Sequence, residues 1–131
     1  MRTDKLRINQ LSPKPYEWYL GYLEAIDTKN IEVYGRFLAD DCVMQSNNNS
    51  PVQGKAAILQ SLSEYWRTFD SVEHDLLNIY GSDSSFVLEA LNYYYNYGKA
   101  VTIPAVAKTF SNSAGLVTSF RLYTDISPVF A

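Results

Sequence analysis

The sequence holds one cysteine, Cys42, and one histidine, His74. A single thiol excludes an internal disulfide, and with a single imidazole it leaves too few ligands for a zinc site, so no metal is expected. The lone cysteine fits a reducing, cytoplasmic setting, with Cys42 beside Val43 acting as a small buried hydrophobe. No apolar run approaches the roughly 20 residues of a membrane span. Residues 1–15 (MRTDKLRINQLSPKP) lack the apolar stretch of a secretory signal, so no membrane partner is expected. An excess of positive charge is missing as well. Eleven basic residues face fourteen acidic ones, the net charge is −3, and the basic residues are scattered. That balance argues against a nucleic-acid partner. There is no GxGxxG, P-loop, H-E-x-x-H or nucleophile elbow, so the reading calls for no cofactor.

What is present is an ordinary globular composition, 47% hydrophobic and 19% charged, on 131 residues. A chain of that length is most simply one domain, 1–131, with one core. Eleven tyrosines stand out. A tyrosine buries an apolar ring while its hydroxyl needs a partner, which suits a cavity wall or an interface.

Residues 1–14 are polar and end in Ser12-Pro13-Lys14-Pro15, which predicts an extended N-terminal arm. From Tyr16 to Asp27 the positions Tyr19, Tyr22, Leu23 and Ile26 follow helical spacing, with Trp18 beside them. Asn30 is placed to cap a second helix carrying Ile31, Tyr34, Phe37 and Leu38, which stops at Ala39-Asp40-Asp41. A short strand, Cys42 to Ser46, follows, then loop chemistry from Asn47 to Gln53. After Gly54 the stripe Ile58, Leu62, Tyr65, Trp66 and Phe69 predicts a third helix.

Four strands with short turns fill the rest: Val72 to Tyr80, Phe86 to Tyr97, Val101 to Phe110, and Leu116 to Ile126. Turns at hairpin distances imply antiparallel neighbours. Pro104 predicts an edge or a bulge in the third of them. The period of two puts Leu88, Ala90, Asn92 and Tyr94 inward on the second strand, with Glu89, Leu91, Tyr93, Tyr95 and Tyr97 outside. On the last strand the same rule turns Leu116, Thr118, Phe120, Leu122 and Thr124 inward, and Val117, Ser119, Arg121, Tyr123 and Asp125 outward. The fold class is therefore α+β. Three N-terminal helices pack on a curled, mainly antiparallel sheet, making a cone with one apolar pocket.

In this order, Tyr22 to Asp41 (YLEAIDTKNIEVYGRFLADD), Gly54 before the third helix, and His74 opening the strand half resemble the nuclear transport factor 2-like superfamily, particularly its SnoaL-like branch. Gly98-Lys99 with Pro104, then Gly115, then Tyr123-Thr124-Asp125 complete the pattern over residues 16–127. The resemblance implies a cone-shaped domain, commonly a homodimer through the outer sheet face. It is similar in this to steroid isomerases, polyketide cyclases, epoxide hydrolases, dehydratases and proteins without known activity, so the fold alone does not name a function.

Carried over position by position, the resemblance to the ketosteroid isomerases implies an oxyanion-hole tyrosine at Tyr22. It puts their base at Ser46 and their proton-donating acid at Val106, neither of which can do that work. The resemblance to polyketide cyclases and epoxide hydrolases implies an aspartate on the inward face of the last strand, where this chain has Thr118, Leu122 and Thr124. Asp125 lies on the opposite parity and reads as a strand end. The resemblance to scytalone dehydratase implies that Asp27 and His74 match its helix-one aspartate and one of its two histidines; the second histidine has no counterpart.

Asp27 and His74 are thus the candidate acid–base pair, with Tyr22 as the third catalytic candidate. The alternative reading makes His74 a strand residue satisfied by backbone and Asp27 a turn cap. Trp18, Tyr19, Met44, Trp66, Asn92, Tyr94 and Phe120 are the candidate ligand-binding residues, for which plain core packing is the competing account. Two functions remain open. One is a cofactor-free isomerase, cyclase or dehydratase acting on a small hydrophobic carbonyl or polyketide-like compound, with His74 as base and Tyr22 or Asn92 on the oxygen. The other is a non-catalytic dimeric module that binds a small hydrophobic ligand or another protein.

Overall fold

The computed structural model describes residues 1–131. Its elements run β1 (Ile8–Asn9), α1 (Pro13–Asp27), α2 (Ile31–Gly35), β2 (Leu38–Ser46), β3 (Val52–Gln53), α3 (Lys55–Trp66), β4 (Ser71–Ser82), β5 (Ser85–Asn96), β6 (Lys99–Ser111) and β7 (Val117–Thr124), then a 3₁₀ turn at Ser127–Phe130. Seven strands form one sheet in the order β1-β4-β5-β6-β7-β2-β3. The β4 to β7 meander is antiparallel throughout, while β1 on β4 and β2 on β7 pair in parallel. Three helices cover one face of this curled sheet, which makes the α+β cone expected from the order of segments. No helix is long and apolar enough to cross a membrane.

Several boundaries differ from the sequence reading. The N-terminal segment is extended, but it is not a free arm. Arg2 N donates to the His74 carbonyl at 2.7 Å, Leu76 N to the Arg2 carbonyl at 3.0 Å, and Arg7 N to the Leu77 carbonyl at 3.0 Å. The segment thus caps the open edge of β4, which would otherwise present unpaired backbone groups. Helix α1 begins at Pro13, because proline in the first turn forfeits no intrahelical bond.

Asn30 does cap α2, its side chain accepting from Val33 N at 3.1 Å. The helix nevertheless ends at Gly35, and Leu38, expected on it, starts β2 instead. Leu38 pairs with Val117 of β7, with an irregularity before Val43 that leaves Asp40 and Asp41 exposed. A five-residue helix is too short to resist a strand pairing that buries Leu38 and Ala39. Pro104 sits in an interior strand without a bulge, but pairing of β6 with β7 begins only at Ala105, so no ladder bond is lost on that side.

The inward set of β5 is as alternation dictates: Phe86, Leu88, Ala90, Asn92 and Tyr94 are all buried. On β7 the rule holds from Phe120 onward. A register shift between Phe110 and Ser111 resets it earlier, so that Val117 is fully buried while Leu116 and Thr118 are half-buried. The core continues through Leu23, Ile58, Leu62, Leu76 and Ile79, under the helices.

Candidate functional site

Between the helices and the concave sheet face lies a cavity of about 370 Å³, lined by 21 residues of which 14 are hydrophobic. Apolar packing cannot close the wide end of a cone, and the resulting volume falls within the range of small-ligand sites. The helical wall presents Tyr22, Tyr34, Tyr65 and Trp66; the sheet wall presents Met44, His74, Asn92, Tyr94, Phe120 and Leu122. Ser46, Asn47, Asn49 and Thr124 lie among the half-buried and exposed residues of its lining and form a polar rim. Asn47 fixes this rim, because its Nδ2 donates to the Thr124 carbonyl at 2.7 Å and its Oδ1 accepts from Thr124 N at 3.0 Å.

Asp27, the last residue of α1, meets His74 of β4 directly. The Asp27 Oδ1 to His74 Nδ1 distance is 2.5 Å, and His74 N donates to Asp27 Oδ2 at 3.2 Å. The Met1 amine lies 3.1 Å from the same Oδ2. Burial opposes ionisation of Asp27, but bonds from the His74 ring, its backbone N–H and the Met1 amine outweigh it. Its pKa is thereby held below the ordinary value of 3.8. An ionised Asp27 accepts a proton-bearing Nδ1, so the neutral imidazole keeps its lone pair on Nε2. His74 lines the cavity, Asp27 stands behind it, and no protein group bonds Nε2.

The tyrosines form two hydroxyl pairs. Tyr22 and Tyr34 are 2.6 Å apart, and Tyr65 and Tyr94 are 3.2 Å apart. Burial raises all four pKa values, and for Tyr22 the neighbouring Tyr34 hydroxyl adds to it. All four therefore stay protonated at neutral pH. Each pair holds two O–H hydrogens and uses one internally, which leaves one per pair for a further acceptor.

The predicted site residues thus separate. His74, Tyr22, Met44, Trp66, Asn92, Tyr94 and Phe120 line the cavity, with Asp27 in contact behind His74. Trp18 and Tyr19 do not. Trp18 packs away from the cavity against Phe37, with ring centroids 5.3 Å apart, and Tyr19 is core, edge-on to Phe86 at 4.6 Å. At i+4 and i+3 spacing both flank Tyr22, with ring centroids 6.1 and 5.6 Å from its ring, so they support the wall that Tyr22 forms instead of lining it. Ser46 does line the cavity, as does Ala105; Val106 pairs with the exposed Tyr123 on the outer face. Asp125 is exposed and caps Ser127 N at 3.0 Å.

Tyr34, Tyr65, Phe69 and the Asn47–Asn49 rim were not singled out as lining residues from sequence. The helical stripes already contained the aromatics, and only the unread parity between helices concealed their direction. The rim has no such signal, because it depends on β2 lying parallel beside β7.

An α+β cone with a largely apolar cavity and a polar rim defines an architectural class. Within it, the chain belongs to the SnoaL-like domain family, whose model matches residues 19–120. No protein of curated function matches the sequence. Among solved structures, a SnoaL-like polyketide cyclase candidate from Shewanella denitrificans is 13% identical and has a TM-score of 0.78, over 91% of this chain and 98% of that one. An epoxide hydrolase of the LEH-like type from M. tuberculosis is 16% identical with a TM-score of 0.73, over 89% and 86%. TerC, co-crystallised with polyporic acid, is 13% identical with a TM-score of 0.75, over 87% and 93%. At such identities these likenesses establish the shared fold.

Proposed function

We propose that this chain is a cofactor-free enzyme that moves a proton next to the carbonyl of a small hydrophobic or polyketide-like compound, as isomerisation, cyclisation and dehydration all require. The observation that carries the reading is the direct Asp27–His74 contact, with Nε2 unbonded at the wall of an apolar cavity. In the proposed step Nε2 takes the proton from the carbon beside the carbonyl, and the C–H electron pair moves to form the enolate. Asp27 stabilises the imidazolium that results and holds the ring in place. The free hydrogen of the Tyr22–Tyr34 pair is the donor to the enolate oxygen, preorganised in a largely apolar cavity. TerC, 13% identical, was co-crystallised with polyporic acid, which supports reading the cavity as a small-molecule site.

The partner surface proposed is the outer sheet face, as a homodimer. Tyr95 and Tyr123 stand 47% exposed there, and aromatic side chains are enriched at interfaces.

The test of the enzyme reading is hydrogen–deuterium exchange at the carbons beside the carbonyl of 2-tetralone, followed by NMR. Wild type should accelerate it, and His74→Gln should lose the acceleration while keeping its melting transition. Equal exchange by the two proteins would leave the cavity as a binding site without chemistry.

A further inference from the structure

His74 of β4 and Asn92 of β5 are directly opposite each other across the antiparallel ladder. Opposed side chains on one face stand about 5 Å apart at Cβ, so both reach the same part of the cavity wall. Asn92 is 7% exposed, and its Oδ1 is buried with no hydrogen-bond partner. A buried carbonyl oxygen without a donor is unfavourable and rare in native proteins, and where it borders a cavity a ligand donor is the natural complement.

The wall therefore offers two acceptors side by side, the Nε2 lone pair of His74 and Oδ1 of Asn92. The tyrosine hydroxyl pairs supply the donors. None of the 21 lining residues is Lys, Arg, Asp or Glu, and Asp27, behind His74, is already matched by His74 and the Met1 amine. A ligand with a fixed charge would lose its hydration without gaining a counter-ion. At roughly 30 Å³ per water-sized group, 370 Å³ accommodates about a dozen such groups, the size of a one- or two-ring compound.

We infer that Asn92 selects the ligand: it accepts a hydrogen bond from an O–H or N–H on a neutral, one- or two-ring compound, and so discriminates against analogues without that donor. The preferred ligand class is thereby a ring compound that carries a hydroxyl, including the enol form of a ring ketone such as 2-tetralone, over a permanently charged ligand or a thioester of a charged carrier. This rests on the proposed reading of the cavity as a ligand site, but not on catalysis.

The experiment compares 2-naphthol with 2-methoxynaphthalene, which differ in the donor, by calorimetric or NMR titration of the full chain. Wild type should bind the phenol at least about tenfold more tightly than the ether. In Asn92→Leu the preference should vanish or reverse. Without any variant, the Asn92 side-chain amide resonances should move with 2-naphthol and stay with 2-methoxynaphthalene. Equal affinities, binding of neither compound, a preference that survives Asn92→Leu, or amide resonances indifferent to the phenol would each overturn the assignment. Failure of 2-tetralone exchange with the phenol preference intact would instead reject the enzyme reading and keep Asn92 as the selecting residue. Exchange that depends on His74 without any phenol preference would do the reverse.

Discussion

A buried carboxylate meets each face of the β4–β5 ladder, Asp27 from α1 on one side and Asp75 of β4 on the other, and their surroundings differ sharply. On the inner face Asp27 holds His74, whose second nitrogen borders the cavity. On the outer face Asp75 is fully buried, accepts from the Tyr93 hydroxyl and lies 3.3 Å from Lys5 Nζ. Arg2 stacks over the Tyr93 ring at 4.9 Å, and the N-terminal segment seals the group. Asp75 even shares with Asn92 a buried, unpartnered oxygen. Yet nothing large enough to be a substrate can reach it. A buried charge with good partners is thus a structural feature until a cavity gives it something to act on, and here only the inner pair has one.

Breaking each pair in turn sharpens that contrast. The largest effect is expected from His74→Gln, with a loss of roughly a hundredfold or more in proton-exchange rate and a fold that survives. Asp27→Asn should lower the rate less, by about tenfold to a hundredfold, because the base remains but loses its orienting charge. The outer pair should behave oppositely. Asp75→Leu is expected to leave exchange within about twofold of wild type while moving the urea midpoint, by a free energy on the order of 1–3 kcal/mol. A loss of exchange on that substitution would join the two faces and break the comparison.

A smaller effect is expected from pH alone. Asp27 has a folded pKa below its ordinary 3.8, so it binds protons less readily in the folded state than in the unfolded one. Its stabilising contribution is then complete above about pH 4 and is lost as pH falls through the folded value. Wild type should therefore exceed Asp27→Asn in stability at about pH 5, and the two should converge below pH 3.8 in urea titrations. A gap that widened as pH fell from about 5 to about 3, the window in which Asp27 itself titrates, would reverse the sign and remove the ion pair from the account.

Much of the fold was legible from local pattern. The four-strand meander, the α3 stripe and the inward set Leu88, Ala90, Asn92, Tyr94 follow from periods of two and 3.6 that the burial reproduces. What escaped was set by distant partners. Leu38 left its helix for a pairing with Val117, and Ile8–Asn9 became an edge strand on β4, with Arg2 bridging to Asp75 ahead of it. The site divided the same way. Asn92 could be placed inward by parity, whereas Trp18 and Tyr19 could be assigned only by knowing which side of α1 faces the cavity. The contact of Asp27 with His74 spans 47 positions, and no local rule reaches that far.

Because His74 is the sole histidine, its imidazole gives a single set of ¹⁵N resonances, and these test the central claim most directly. In the neutral ring the account predicts a protonated Nδ1 held by Asp27 and an Nε2 with a free lone pair, whose resonance moves when 2-tetralone is added. A proton found on Nε2 in the neutral ring, or an Nε2 resonance unmoved by saturating 2-tetralone, would contradict it.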